Sequence, residues 1–179
     1  MTHPTIAPGD HKAFMHYTVD QARLSPPGPD KFCVGAVIVD GDTGRILSTG
    51  YSTELPGYKE AEMGNTRAEQ CCFMKVTQSN GLSVVRAEEQ IIKFLTTNTV
   101  LHTTMEPCTA RLSGNRTCCD RIVALKEKLR TVYVGIREPN TFIVGNDGKQ
   151  RLQGEGIRFE MTEEANDLCY EAAMNGHAK

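Results

Sequence analysis

The chain has 179 residues, a formal net charge of −2 and 39% hydrophobic residues. That length suits one domain with one substantial core, expected over 1–179 with loose tails at 1–9 and 176–179. The charge offers no extended basic surface for nucleic acid, no apolar run approaches a membrane span, and nothing has the shape of a secretory leader's core, so a soluble cytoplasmic protein is expected.

Phe14, Tyr17, Ala22 and Leu24 recur near helical spacing and predict an amphipathic helix over 10–24, with Asp10 as its N-cap. Ser25-Pro26-Pro27-Gly28-Pro29 ends it in a stiff loop. Cys33 to Val39 is short, apolar and β-branched, as in a strand covered on both faces. A turn at 40–44 leads to an antiparallel return strand over 45–51, and 52–65 reads as a loop. A helix is expected from Thr66 to about Ser79, broken at Asn80-Gly81, with a weaker helical stretch over 83–95. A strand follows at 99–104, then Pro107, which suits the first position of another helix. Residues 118–129 read as helical, 131–136 as a buried strand, 137–150 as a polar loop, 157–160 as a short strand and 163–175 as a closing helix. This alternation predicts an α/β protein, a three-layer α/β/α sandwich on a mixed five-stranded sheet. Ligands in such folds sit where strand carboxyl ends meet helix N-termini.

Two motifs carry chemistry, and both fall at expected helix starts. The first is Gly64-Asn65-Thr66-Arg67-Ala68-Glu69-Gln70-Cys71-Cys72. Thr66 to Glu69 has the form of a capping box, with Thr66 as N-cap and Glu69 at the third helical position. Glu69 equally suits a proton shuttle beside a metal-bound water. The second motif runs from Glu106-Pro107-Cys108 to Cys118-Cys119. Zinc takes thiolates readily, and helix N-termini favour the thiolate form of Cys108 and Cys118. The chain between them must fold back, and Gly114-Asn115 supplies turn chemistry; two ordinary buried thiols are the alternative. Seven cysteines without a secretory leader argue for reduced or metal-bound thiols over a disulfide framework. His102, the histidine nearest these motifs, reads as a packing residue on its strand.

Taken together, Phe32-Cys33-Val34-Gly35-Ala36, Ala68-Glu69-Gln70-Cys71, Met105-Glu106-Pro107-Cys108 and the run Arg111 to Cys118 resemble the cytidine deaminase superfamily, whose signature is H-x-E followed by P-C-x-x-C. The likeness is nearest to the fungal pyrimidine deaminases of riboflavin biosynthesis, whose long cysteine spacing it shares. It covers roughly residues 30–160 and continues through Val132 to Pro139. The resemblance implies Glu69 as proton shuttle, Cys108 and Cys118 as Zn2+ ligands, and hydrolytic deamination of a phosphorylated diamino-ribitylamino-pyrimidinone. It also implies Asn65, Arg111, Ser113, Asn115 and Arg116 as pocket residues and a homo-oligomer, most simply a homodimer. Arg111 and Arg116 suit a phosphate, or surface salt bridges.

Two positions depart from the family pattern. Arg67 stands where the family has its zinc-binding histidine, and a guanidinium has no lone pair to give a metal. Lys31 stands near where related deaminases favour an asparagine against the pyrimidine. Two readings stay open: a zinc deaminase, or a metal-deficient variant or paralogue that is inactive or recruited to other chemistry or ligand binding.

Overall fold

A computed structural model describes residues 2–57, 65–142 and 144–177. The elements run α1 (His11–Ala22), β1 (Gly35–Asp40), β2 (Ile46–Tyr51), α2 (Ala68–Ser79), α3 (Ala87–Ile91), β3 (Thr99–Met105), α4 (Cys118–Val123), β4 (Leu129–Ile136), α5 (Gly148–Gly154), β5 (Arg158–Met161) and α6 (Asn166–Ala173). Short 3-10 turns follow α3 and precede α6. One sheet has the order β2-β1-β3-β4-β5. β1 pairs antiparallel with β2 and β3, whereas β3–β4 and β4–β5 are parallel, so the sheet is mixed as expected.

Alternation along the strands builds two cores. Ile38, Leu101, Val132 and Val134 face α2, where they meet Cys72 and Phe73. Val37 and Val39 face the other way, onto Phe14 of α1. Met15, Val19 and Ala22 of α1 share a further cluster with Cys169, Ala172 and Ala173 of α6. Helices therefore cover both faces of the sheet, giving the three-layer α/β/α sandwich. α2 is buried along nearly its whole length, which explains why its sequence shows no polar face. Its first turn lies directly on β2: a Cβ at Gly50 would come 2.3 Å from the Ala68 carbonyl oxygen. Only glycine permits that approach, and it sets the height of Glu69 above the sheet.

Asp10 caps α1 as expected, accepting from the Ala13 N–H at 3.0 Å. Other expectations are corrected. Thr66 does not cap α2, because its hydroxyl donates to the Leu55 carbonyl at 2.6 Å; Arg67 is the N-cap residue without a side-chain bond, and Glu69 is the second helical residue. Pro107 opens no helix. Its carbonyl accepts from Asn146 Nδ2 at 3.2 Å and Cys119 Sγ at 3.4 Å, and that of Cys108 accepts from Cys119 N at 3.2 Å. These tertiary bonds replace a helical ladder. α4 stops at Val123 because Leu129 is taken by the parallel ladder opposite Thr99. The expected loop over 137–150 gives way to α5 at Gly148, whose only buried apolar side chain is Leu152; one such residue leaves no periodic trace.

Described residues of both expected tails make tertiary contacts. Ile6 packs on the Phe14 cluster, and His3 Nδ1 lies 3.1 Å from the Tyr17 hydroxyl. His177 Nε2 lies 2.9 Å from the Lys31 carbonyl oxygen, and its ring stacks on Phe32. Part of the expected 52–65 loop, 58–64, lies outside the described residues, and Gly64 of the first motif with it.

His102 points to the α1 face, away from the two motifs. It stacks on Phe14, Tyr133 and His11, with its Nε2 3.2 Å from His11 Nδ1, while its own Nδ1 has no hydrogen-bond partner among the described residues. Burial lowers its pKa to about 3, with the His11 charge adding to the effect. The folded protein therefore refuses a proton that the unfolded chain accepts near an ordinary histidine value. Stability from the neutral ring is complete above about pH 6.5 and is lost progressively as pH falls toward 3. Urea midpoints measured across that range should fall with pH, and His102→Leu should flatten the slope.

Candidate active site

The two motifs meet at the carboxyl end of β3. Glu69 enters from α2, Cys118 begins α4, and Cys108 stands in the chain that leaves β3. Glu69 is buried; Oε1 accepts from Thr103 Oγ1 and Oε2 from Cys118 Sγ, both at 3.3 Å. Burial pushes its carboxyl up from the usual range, against the hydrogen bonds and the Arg67 charge that hold it down. Cys118 N donates to Cys108 Sγ at 3.4 Å. The hydrogen bond from the Cys118 side chain is the main reason the Cys108 thiol falls to about 7, while the same bond and burial raise Cys118. Cys108 is thus the more acidic of the two thiols.

Above these groups opens a cavity of about 360 Å³. Of the residues singled out from sequence, Lys31, Asn65, Arg67, Glu69, Cys108, Ser113 and Cys118 line it. Arg111, Asn115 and Arg116 are not among its lining residues. Arg111 lies in the wall, donating to the Asn65 carbonyl at 2.6 Å and the Arg116 carbonyl at 3.3 Å. Arg116 instead pairs with buried Glu88 and with Glu89. Lys31 aims its ammonium at Ser25 Oγ, 2.9 Å away. Cys71, Cys72, Cys118 and Cys119 are all buried, so neither adjacent pair sends a thiol out to solvent.

The sequence reading missed Glu138, Glu106, Phe32, Phe142 and Leu112 as lining residues. Glu138 follows β4 and is held by Asn146 Nδ2 at 2.7 Å, which also ties the Pro107 carbonyl. Its carboxyl rises to about 7, first through burial and then through the charge of Cys108, with Glu69 and Glu106 adding to it. Glu106 accepts the Lys149 N–H at 2.9 Å, and an added Cβ at Gly148 would lie 2.4 Å from the Pro107 carbonyl. The start of α5 is therefore pressed against the Cys108 segment. The available signal was position alone: Glu106 and Glu138 follow the carboxyl ends of β3 and β4, while Phe32 precedes β1. Leu112 is 90% exposed at the rim.

The family model described as cytidine and deoxycytidylate deaminase zinc-binding region matches residues 8–136. The chain belongs to this deaminase family. A diaminohydroxyphosphoribosylamino-pyrimidine deaminase of Schizosaccharomyces pombe is 35% identical over 172 residues, which are 96% of this chain and 37% of that protein's length. The chain thus spans well under half of that relative. The Rib2 deaminase of Aspergillus oryzae superposes with a TM-score of 0.80 at 33% identity, covering 94% of this chain and 93% of the other. Its complex with DARIPP gives a TM-score of 0.77 at 33% identity, covering 93% and 91%. The expected kinship with riboflavin-pathway deaminases holds.

Zinc is the metal of that family, and the residues here do not fit it. Among the described residues, no group of three or more His, Cys, Asp or Glu side chains is placed to hold a metal ion. Cys108 and Cys118 are two donors, Glu69 is bonded to Cys118, and Arg67 supplies charge of the wrong sign. Catalytic zinc ordinarily takes three protein ligands. His102 does not fill the gap, because it faces the opposite layer.

A buried ion pair anchors α3 to the segment carrying the cysteines. Glu88, 1% exposed, pairs with Arg121, 2% exposed, at 3.1 Å, and also takes Arg116. Thr117 caps α4, accepting from Asp120 N at 3.1 Å. Removing one member of such a pair leaves a buried charge uncompensated. Glu88→Ala should cost about 3–5 kcal/mol in chemical denaturation, whereas Glu89→Ala, at the exposed end of the network, should cost under about 1 kcal/mol.

Proposed function

We propose that the cavity is a pyrimidine site of the riboflavin-pathway deaminase class and that its ligand is a phosphorylated, ribityl-bearing pyrimidine. The reaction for which such a site is shaped is hydrolytic deamination, in which water oxygen replaces an exocyclic amine that leaves as ammonia. The observation that carries this reading is Glu69, buried at the base of the cavity and fixed by Thr103 and Cys118. Its raised pKa suits a carboxyl that takes a proton from water and delivers it to the departing amine. Lys31, Asn65 and Ser113 line the cavity and are the proposed ligand contacts; Arg111 acts through the wall, holding the backbone of Asn65. Asn115 and Arg116 would shape the loop over the cavity. The reading carries with it a cytoplasmic, homo-oligomeric protein that uses neither membrane nor nucleic acid; no described helix is long and apolar enough to cross a membrane.

In the family, zinc supplies an activated water. Here the donor set among the described residues is incomplete. Arg67 favours a second reading, in which the chain binds the pyrimidine without turning it over. Metal content and ammonia release, measured together, separate the two. The second reading predicts that the native chain holds well under one zinc per chain and releases little ammonia, and the first predicts zinc with ammonia release. Arg67→His is expected to raise zinc toward one per chain and to bring ammonia release with it. Stoichiometric zinc in the native chain would overturn the metal-poor reading. Zinc without ammonia in Arg67→His would mean that the rest of the pocket has moved away from catalysis.

A further inference from the structure

We infer that Arg67 makes this cavity prefer the deaminated, oxo form of its pyrimidine over the amino form. The inference deepens the proposed pyrimidine site and rests on it, but not on turnover. Two basic residues are among those that line the cavity, Lys31 and Arg67. Lys31 donates to Ser25 Oγ at 2.9 Å. Arg111, just behind the wall, is committed to two backbone carbonyls. Arg67 is half-buried, and its side chain makes no hydrogen bond or ion pair with the described residues; only its backbone carbonyl is engaged, accepting from Cys71 N at 2.9 Å. Its guanidinium is a donor-only group facing an enclosed space.

The other polar groups of the cavity are largely engaged. Glu106 accepts from Lys149 N at 2.9 Å and Arg137 at 3.4 Å, and Glu138 accepts from Asn146 at 2.7 Å. The Glu69 oxygens take Thr103 and Cys118. None of these acceptors is hydrogen-bonded to the Arg67 guanidinium. An exocyclic amine brings N–H donors toward those of the guanidinium, and neither side is satisfied. A carbonyl at the same carbon brings two lone pairs and completes the bond, and a planar fork suits a planar oxo-pyrimidine edge. A buried donor left without an acceptor is penalised more than an added bond is rewarded, so the difference falls mainly on the amino form. The residue that excludes the metal therefore also turns the site from the reactant's pattern of donors to the product's.

Calorimetric titration of the native chain with the diamino-ribitylamino-pyrimidinone phosphate, and separately with its counterpart bearing oxygen in place of the amine at the reacting carbon, tests this. Chelator in the buffer keeps metal out of both arms. The oxo form is expected to bind about tenfold or more tightly. Arg67→Gln, which offers both a donor and an acceptor, is expected to bring the ratio close to one. Equal or tighter binding of the amino form by the native chain would overturn the inference while leaving the pyrimidine site standing, as would an unchanged ratio in Arg67→Gln. Binding of neither compound would overturn the pyrimidine site itself.

Discussion

The site depends on one carboxyl. Glu69 joins the first turn of α2 to Thr103 on the central strand and to Cys118 at the start of α4, with both bonds at 3.3 Å. Three elements distant in sequence are thereby fixed at one point. The carboxyl is buried, so each bond compensates desolvation that would otherwise oppose folding. Gly50 lets α2 descend far enough for this to happen. On the opposite side, Gly148 lets the start of α5 press against Pro107, which brings the Cys108 segment under the same cavity.

Around that point the guanidinium of Arg67 stands beside the two thiols and the buried carboxyl. Arg67 lowers the cost of a thiolate at Cys108 and of an ionised Glu69 from a distance, as a cation would. It cannot polarise a water as a Lewis acid does. Glu69, Cys108 and Cys118 form a mutually supporting cluster of hydrogen bonds with Thr103.

The wall of the cavity shows why cationic residues in a motif are poor guides to a ligand. Arg111 and Arg116 look like phosphate contacts in sequence, but one braces the backbone of Asn65 and the other joins a buried ion-pair network with Glu88 and Arg121. Glu138 and Phe142 sit in a segment that reads as an ordinary polar loop, and it is the cavity that gives them meaning.

The sequence by itself determined the α/β alternation, the five strands, the family and the pairing of Glu69 with Cys108 and Cys118. The alternation and the strands follow from local hydrophobic period, which survives in a linear string; the family and the grouping of Glu69 with Cys108 and Cys118 come from the resemblance of the motifs. It also exposed Arg67 as chemically unable to bind metal, since that is a property of the side chain alone. The tertiary structure decided that Thr66 bonds Leu55 instead of capping α2, that Pro107 opens no helix, and that α5 exists within an apparent loop. It also decided which arginine is left facing the cavity. Each of these is a competition for a hydrogen-bond partner between local and distant groups, and a distant group has no position until the chain has folded.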